Sequence, residues 1–281
     1  MNNRNQGTKF KNPMADIDST YNLNNKEFAN KTRNTKSKKT KSVALNINKK
    51  QGNIVEPHTF TRTEIKPIWC PGCPIYSIYS VIANEMKAKG WNAENTVVVS
   101  GIGCTGMISG YFNCEGVQTT HGRTLPVAEA IKLVRPELNV IVISGDGDLS
   151  GIGGNHLLHT IRRNPNLHIF MNRNRVYAMT GGQLAPTTPK ESITQTTPNG
   201  NTFLPLNSEA LSKINRECLF IKSSTIYLEQ FKTDVKNALN YDKLSFVEIN
   251  TWCITEYGPR QGAKNLAEMN EMLKRELEKE R

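Results

Sequence analysis

The chain has 281 residues, 37% of them hydrophobic, and a net charge of +11, yet it holds no run of about 18 apolar residues, so nothing in it reads as a membrane span. The charge is lopsided: residues 1–58 carry twelve Lys and Arg against four Asp and Glu, leaving about +3 for the rest. That argues against a nucleic-acid-binding body, whose basic residues would sit on ordered elements.

Residues 1–58, rich in Asn, Lys, Thr and Ser and lacking an apolar period, are expected to form a disordered basic tail. An organellar targeting role for Arg33 to Lys41 is the alternative, opposed by scarce Arg and by Asp16, Asp18 and Glu27. One domain is expected over residues 59–281. Its elements in chain order are a helix at 75–89, a strand at 96–102, a helix at 126–134, a strand at 139–144, a helix at 154–163 and a strand at 167–171. An irregular stretch at 187–206, rich in Thr, Pro and Asn, is long for a connection and reads as a functional or mobile loop. Strands at 219–222 and 245–249, a helix at 228–240 and a charged helix at 264–279 complete the series. The strands are short and apolar on both faces, which predicts an α/β fold with a doubly wound parallel sheet and ligands beyond the strands' carboxyl ends.

The strand at 139–144 runs straight into Gly145-Asp146-Gly147-Asp148 and then a helix. Two glycines let backbone approach a ligand, a carboxylate can meet a divalent cation, and a helix start offers N–H groups to an anion. Asn174 lies 28 residues after Asp146 and follows the next strand. Mg²⁺ shared with a diphosphate needs further oxygen ligands, and Asp146, Asn174 and the Val176 carbonyl suit those places.

Six cysteines at uneven spacing, with no secretory signal, point to metal binding or catalysis in a reducing, cytoplasmic setting more than to disulfides. Cys70-Pro-Gly-Cys73 is a C-x2-C pair, Cys104 ends a strand in Gly101-Ile-Gly-Cys-Thr-Gly106, and Cys253 lies just past another strand. Four thiolates at one sheet edge suit zinc or a four-iron cluster alike, so spacing leaves both open.

With Gly145-Asp146-Gly147 and Asn174 the chain resembles the thiamine diphosphate enzymes, with Arg173-Asn174 where that family usually has two adjacent Asn. The run Tyr177-Ala-Met-Thr-Gly-Gly-Gln183 is similar to one branch, the β subunits of 2-oxoacid:ferredoxin oxidoreductases, and among these looks most like the 2-oxoglutarate enzymes. The resemblance implies a thiamine diphosphate-binding fold, with Tyr177, Thr180, Gly181 and Gly182 joining Gly145, Asp146, Gly147, Asp148, Asn174 and Val176 around the cofactor and Mg²⁺. It implies a 4Fe-4S cluster on Cys70, Cys73, Cys104 and Cys253, leaving Cys114 and Cys218 as ordinary thiols. Thr119-Thr-His121-Gly-Arg123 resembles a segment that borders the cofactor, where His121 could carry a proton and Arg123 an anion; helix capping and packing is the competing reading. The implied reaction is oxidative decarboxylation of a 2-oxoacid with coenzyme A, with ferredoxin as electron acceptor and an α subunit as obligatory partner. A cluster-free thiamine decarboxylase and a zinc-containing phosphate-binding module are the alternatives from other classes.

Overall fold

A computed structural model describes residues 60–62 and 64–279, so the expected tail lies outside the described residues. Chain order runs α1 (Ile75–Ala88), β1 (Thr96–Ser100), a 3-10 helix (Thr105–Tyr111), β2 (Glu115–Gln118), α2 (Thr124–Val134), β3 (Asn139–Gly145), a π-helical turn (Gly147–Ile152), α3 (Gly154–Arg163) and β4 (His168–Arg173). A small hairpin, β5 (Val176–Tyr177) and β6 (Gln183–Leu184), precedes α4 (Ser208–Ser212), β7 (Leu219–Ser224), α5 (Leu228–Leu239), β8 (Ser245–Asn250) and α6 (Leu266–Lys279).

Six strands form one sheet in the order β2-β1-β3-β4-β8-β7, and every neighbouring pair is parallel. Alternation along the strands sorts the apolar residues onto two faces. Val98, Ile141, Ile143, Phe170 and Val247 meet Ile78 and Ile82 of α1 and Phe231 and Val235 of α5. Val97, Val99, Val140, Val142, Ile169 and Met171 meet Leu125 of α2 and Leu157 and Ile161 of α3. Helices thus cover both faces, the doubly wound arrangement the sequence predicts. Strand order reverses between β1 and β3, and that switch point opens a crevice at their carboxyl ends.

One expectation needs correction. The 219–222 segment is an edge strand rather than a central one, and its first three residues are only half-buried because no described strand lies beyond it. The helix beyond Gly145-Asp146-Gly147 runs over Gly154–Arg163 as expected, and a π-helical turn that the sequence did not announce fills the space before it. Such a turn is the kind of helix irregularity that gathers at functional sites. As expected, 187–206 contains neither helix nor strand. It is nonetheless tied down: Asn201 Nδ2 donates to the carbonyls of Thr188, Pro189 and Phe203.

One core residue gives the fold a pH signature. His168 is buried in β4, with Ser245 Oγ 3.0 Å from its Nδ1, and burial, with Lys89 and Lys132 nearby, pushes its pKa from 6.5 down to about 4. The unfolded chain binds a proton there that the folded chain refuses. The stability is therefore complete above pH 6.5 and is lost as pH falls towards 4, by roughly 3 kcal/mol at most. Urea unfolding at pH 7 and pH 4.5 should show a larger loss for the wild type than for His168→Gln; equal losses would contradict this.

Candidate active site

The residues after β1, β3 and β4 line one cavity of about 90 Å³: Cys104 and Thr105, then Gly145, Asp146, Gly147 and Asp148, then Asn174 and Val176 to Thr180, with His121 across from them. The register explains the convergence. Gly145 pairs with Asn172 across β3 and β4, so Asp146 and Asn174 leave adjacent strands side by side.

Asp146 is almost wholly buried. Its Oδ1 accepts the Gly147 N–H at 2.9 Å, and its Oδ2 accepts the Arg175 N–H at 2.9 Å together with the Thr187 hydroxyl. Burial pushes its pKa up, with the Thr187, Arg175 and Gly147 donors opposing. A carboxylate offers about four lone-pair positions, so these bonds leave one on Oδ1. Asn174 Oδ1 likewise accepts one bond, from the Val176 N–H at 3.2 Å. A buried anion with a spare lone pair beside a half-used amide oxygen suits a hard divalent cation, which would offset the burial penalty.

The remaining residues shape the cavity in different ways. A Cβ on Gly147 would stand 2.4 Å from the Tyr177 ring, so that glycine is needed for the ring to pack, and Tyr177 donates to the Gly147 carbonyl at 3.2 Å. The N–H groups of Gly181 and Gly182 donate to the Ala178 and Tyr177 carbonyls. Both glycines take positive φ and lie outside the cavity lining, so they form the turn that carries Thr180. Arg123 is exposed and also lies outside the cavity, its Nη1 bonded to the Gly122 carbonyl at 3.3 Å.

A second cavity, of about 300 Å³, is lined by Cys70, Cys73, Cys104 and Cys253 together. Trp69 holds the first pair in place: its Nε1 donates to the Cys104 carbonyl at 2.8 Å, and its ring packs against Tyr76 and Tyr111. The Cys73 N–H closes a tight turn on the Cys70 carbonyl at 2.9 Å, with Gly72 at φ +81°. Cys253 arrives from beyond β8. The Thr255 hydroxyl stands 3.5 Å from its sulfur and 4.0 Å from that of Cys70. Burial pushes Cys73 up to about 12 and Cys104 up to about 11, reinforced by the other thiols of the set. Mutual repulsion of this kind is relieved by a cationic centre among the sulfurs.

A lone zinc ion would hold each sulfur at about 2.3 Å. Among the described residues, no three His, Cys, Asp or Glu side chains gather closely enough for a single ion. The four thiols share the cavity without meeting at one point. Cys114 and Cys218 do not line it.

Three residues of the site escaped the sequence reading. Arg175 is fully buried at φ +72°, and its guanidinium reaches Glu276 on α6 at 3.0 and 3.1 Å and the Thr251 carbonyl. Thr187 and Glu276 are the others, and only the fold brings them to the metal loop. Arg173, which stands in place of a usual Asn, is turned into the sheet, bonded to Glu248 at 3.3 Å and Asn250 at 3.0 Å.

This fold and site define a thiamine diphosphate-binding domain, and residues 101–249 match the family described as thiamine pyrophosphate enzyme, C-terminal TPP binding domain. The 2-oxoglutarate synthase subunit KorB of Archaeoglobus fulgidus is 43% identical over 198 residues, 70% of this chain and 73% of the relative. That of Methanothermobacter marburgensis is 34% identical over 213 residues, 76% and 75% of the two chains. A solved 2-oxoglutarate:ferredoxin oxidoreductase from Magnetococcus marinus, with 2-oxoglutarate, coenzyme A and succinyl-CoA bound, superposes with a TM-score of 0.67 at 29% identity, covering 70% of this chain and 67% of that one. The chain belongs to the β subunits of the 2-oxoacid:ferredoxin oxidoreductases. No described helix is long and apolar enough to cross a membrane.

Proposed function

We propose that this chain, with a partner α subunit, oxidatively decarboxylates 2-oxoglutarate, joining the acyl group to coenzyme A, releasing CO2 and passing two electrons through a 4Fe-4S cluster to ferredoxin. One observation carries the reading: the four-thiol cavity and the Asp146 cavity share Cys104, Asn174, Ala178 and Met179 as a common wall. A redox centre in the first would adjoin a cofactor in the second.

Bound thiamine diphosphate supplies the electron sink for loss of the carboxylate, and a cluster takes up electrons singly. The chain supplies position. Asp146 and Asn174 offer side-chain oxygens to Mg²⁺, and Val176 offers its carbonyl. Gly145 and Gly147 keep the strand exit open, Tyr177 walls one side and Thr180 brings a hydroxyl. His121 holds a proton-carrying ring at the cavity. Cys70, Cys73, Cys104 and Cys253 ligate the cluster. Ile68, Ile102 and Met179 leave exposed apolar surface at the two cavities, which the α subunit would cover while excluding water from the chemistry.

The test is anaerobic purification of the chain alone and with its α subunit. The expected result is about four iron and four acid-labile sulfide per chain, thiamine diphosphate binding that requires Mg²⁺, and 2-oxoglutarate-dependent ferredoxin reduction only in the complex. Stoichiometric zinc without iron would replace this reading with that of a zinc protein, and robust turnover by the isolated chain would remove the need for a partner.

A further inference from the structure

Asp148 lines the cofactor cavity, but its carboxylate is committed to the protein. Oδ1 accepts the N–H groups of Gly122 at 2.8 Å and Ile102 at 3.3 Å and lies 2.7 Å from His121 Nδ1. Oδ2 accepts the hydroxyls of Thr124 at 2.7 Å and Ser144 at 3.0 Å. The chain is built around this group: a Cβ on Gly101 would stand 2.1 Å from Oδ2. Two backbone N–H groups, which can only donate, already point at Oδ1, so it meets His121 as an acceptor and Nδ1 carries the proton. The ring then turns its opposite edge, with Nε2, towards the cavity it lines, and it rests edge-on against Tyr177 with centroids 6.0 Å apart.

We propose that Asp148 is a positioning residue: it fixes the tautomer and direction of His121, leaving Nε2 open to take up or return a proton at the substrate, and it does not bind the cofactor. The inference rests on the proposed thiamine-dependent reaction, but it assigns Asp148 a place different from that of Asp146. Asp148→Asn keeps the arrangement, because the two N–H groups hold the amide oxygen at the Oδ1 position while the Thr124 and Ser144 hydroxyls reverse to accept from the amide nitrogen.

The test combines spectroscopy of the full chain with kinetics of the α–β complex. In ¹⁵N-histidine spectra at neutral pH, with His121 assigned by its absence in His121→Gln, His121 should show the Nδ1–H form in the wild type and in Asp148→Asn. The Nε2–H form in the wild type overturns the proposal. Turnover should fall by about 10²-fold or more in Asp148→Ala and in His121→Gln, the range of a lost general acid or base, and by only about 10-fold in Asp148→Asn. In the His121→Gln background, Asp148→Asn should cost less than about 2-fold, since coupled residues are not additive; an equal fall in both backgrounds overturns the proposal even if the alanine variant does not fold. Thiamine diphosphate affinity should be unchanged in Asp148→Asn. Lost affinity there makes Asp148 a cofactor ligand, whereas a wild type that binds no thiamine diphosphate ends the proposed function itself.

Discussion

Asp146→Ala is expected to weaken Mg²⁺-dependent binding of thiamine diphosphate by at least about 100-fold, more than the 10- to 100-fold typical of a lost outer partner of a metal ligand. The carboxylate is the buried anion of the cavity's metal side, and one of its lone pairs is free. Alanine also orphans the Arg175 and Gly147 N–H groups and the Thr187 hydroxyl, costing about 1–3 kcal/mol of stability for each group that finds no water. Asp146→Asn is therefore the sharper variant. An amide oxygen kept where Oδ2 receives two donors turns the NH2 towards both the Gly147 N–H and the cation, so metal affinity falls while volume is preserved. Calorimetric titration with cofactor at fixed Mg²⁺, alongside iron analysis, measures both effects; wild-type affinity in either variant would remove Asp146 from the metal site.

Cys253→Ala is expected to bring iron and sulfide well below the about four of each that a full cluster holds, without changing cofactor affinity. Cys253 is the member of the set that comes from beyond β8, and the Glu256 N–H already donates to its sulfur at 3.3 Å. Contacts of this sort to ligand sulfurs tune the potential of a bound cluster. The controls are Cys114→Ala and Cys218→Ala, which stand away from the cavity and should keep full iron. Retention of iron by Cys253→Ala would end its assignment as a ligand.

The sheet was legible wherever burial is two-sided. β3, β4 and β8 read as continuous apolar runs because helices cover both faces, and their predicted limits fall within two residues of those observed. β2 left no such trace: Glu115-Gly-Val-Gln118 is an edge strand, mostly exposed, paired only with β1 and without an apolar run to betray it. The π-helical turn and the five-residue α4 were invisible for a related reason, being shorter than any periodicity that could announce them.

In the site, Asp146 and Asn174 could be paired from sequence because parallel neighbours put successive strand exits together. The four cysteines could be grouped by the same logic, although the family match at 101–249 excludes three of them. The side to which Asp148 turns could not be read. Two carboxylates two residues apart in one turn look equivalent in sequence, and only the backbone path sends one towards Asn174 and the other towards His121.

The contact between Arg175 and Glu276 bears on the order in which the molecule is built. Every residue proposed to touch cofactor or metal has been synthesised once Cys253 has left the ribosome, yet the guanidinium behind the Asp146 contact still lacks its acidic counter-ion, Glu276, which lies on α6, 101 residues after Arg175. Loading with vitamin-derived cofactor should therefore lag behind translation of the binding loops and coincide with docking of α6.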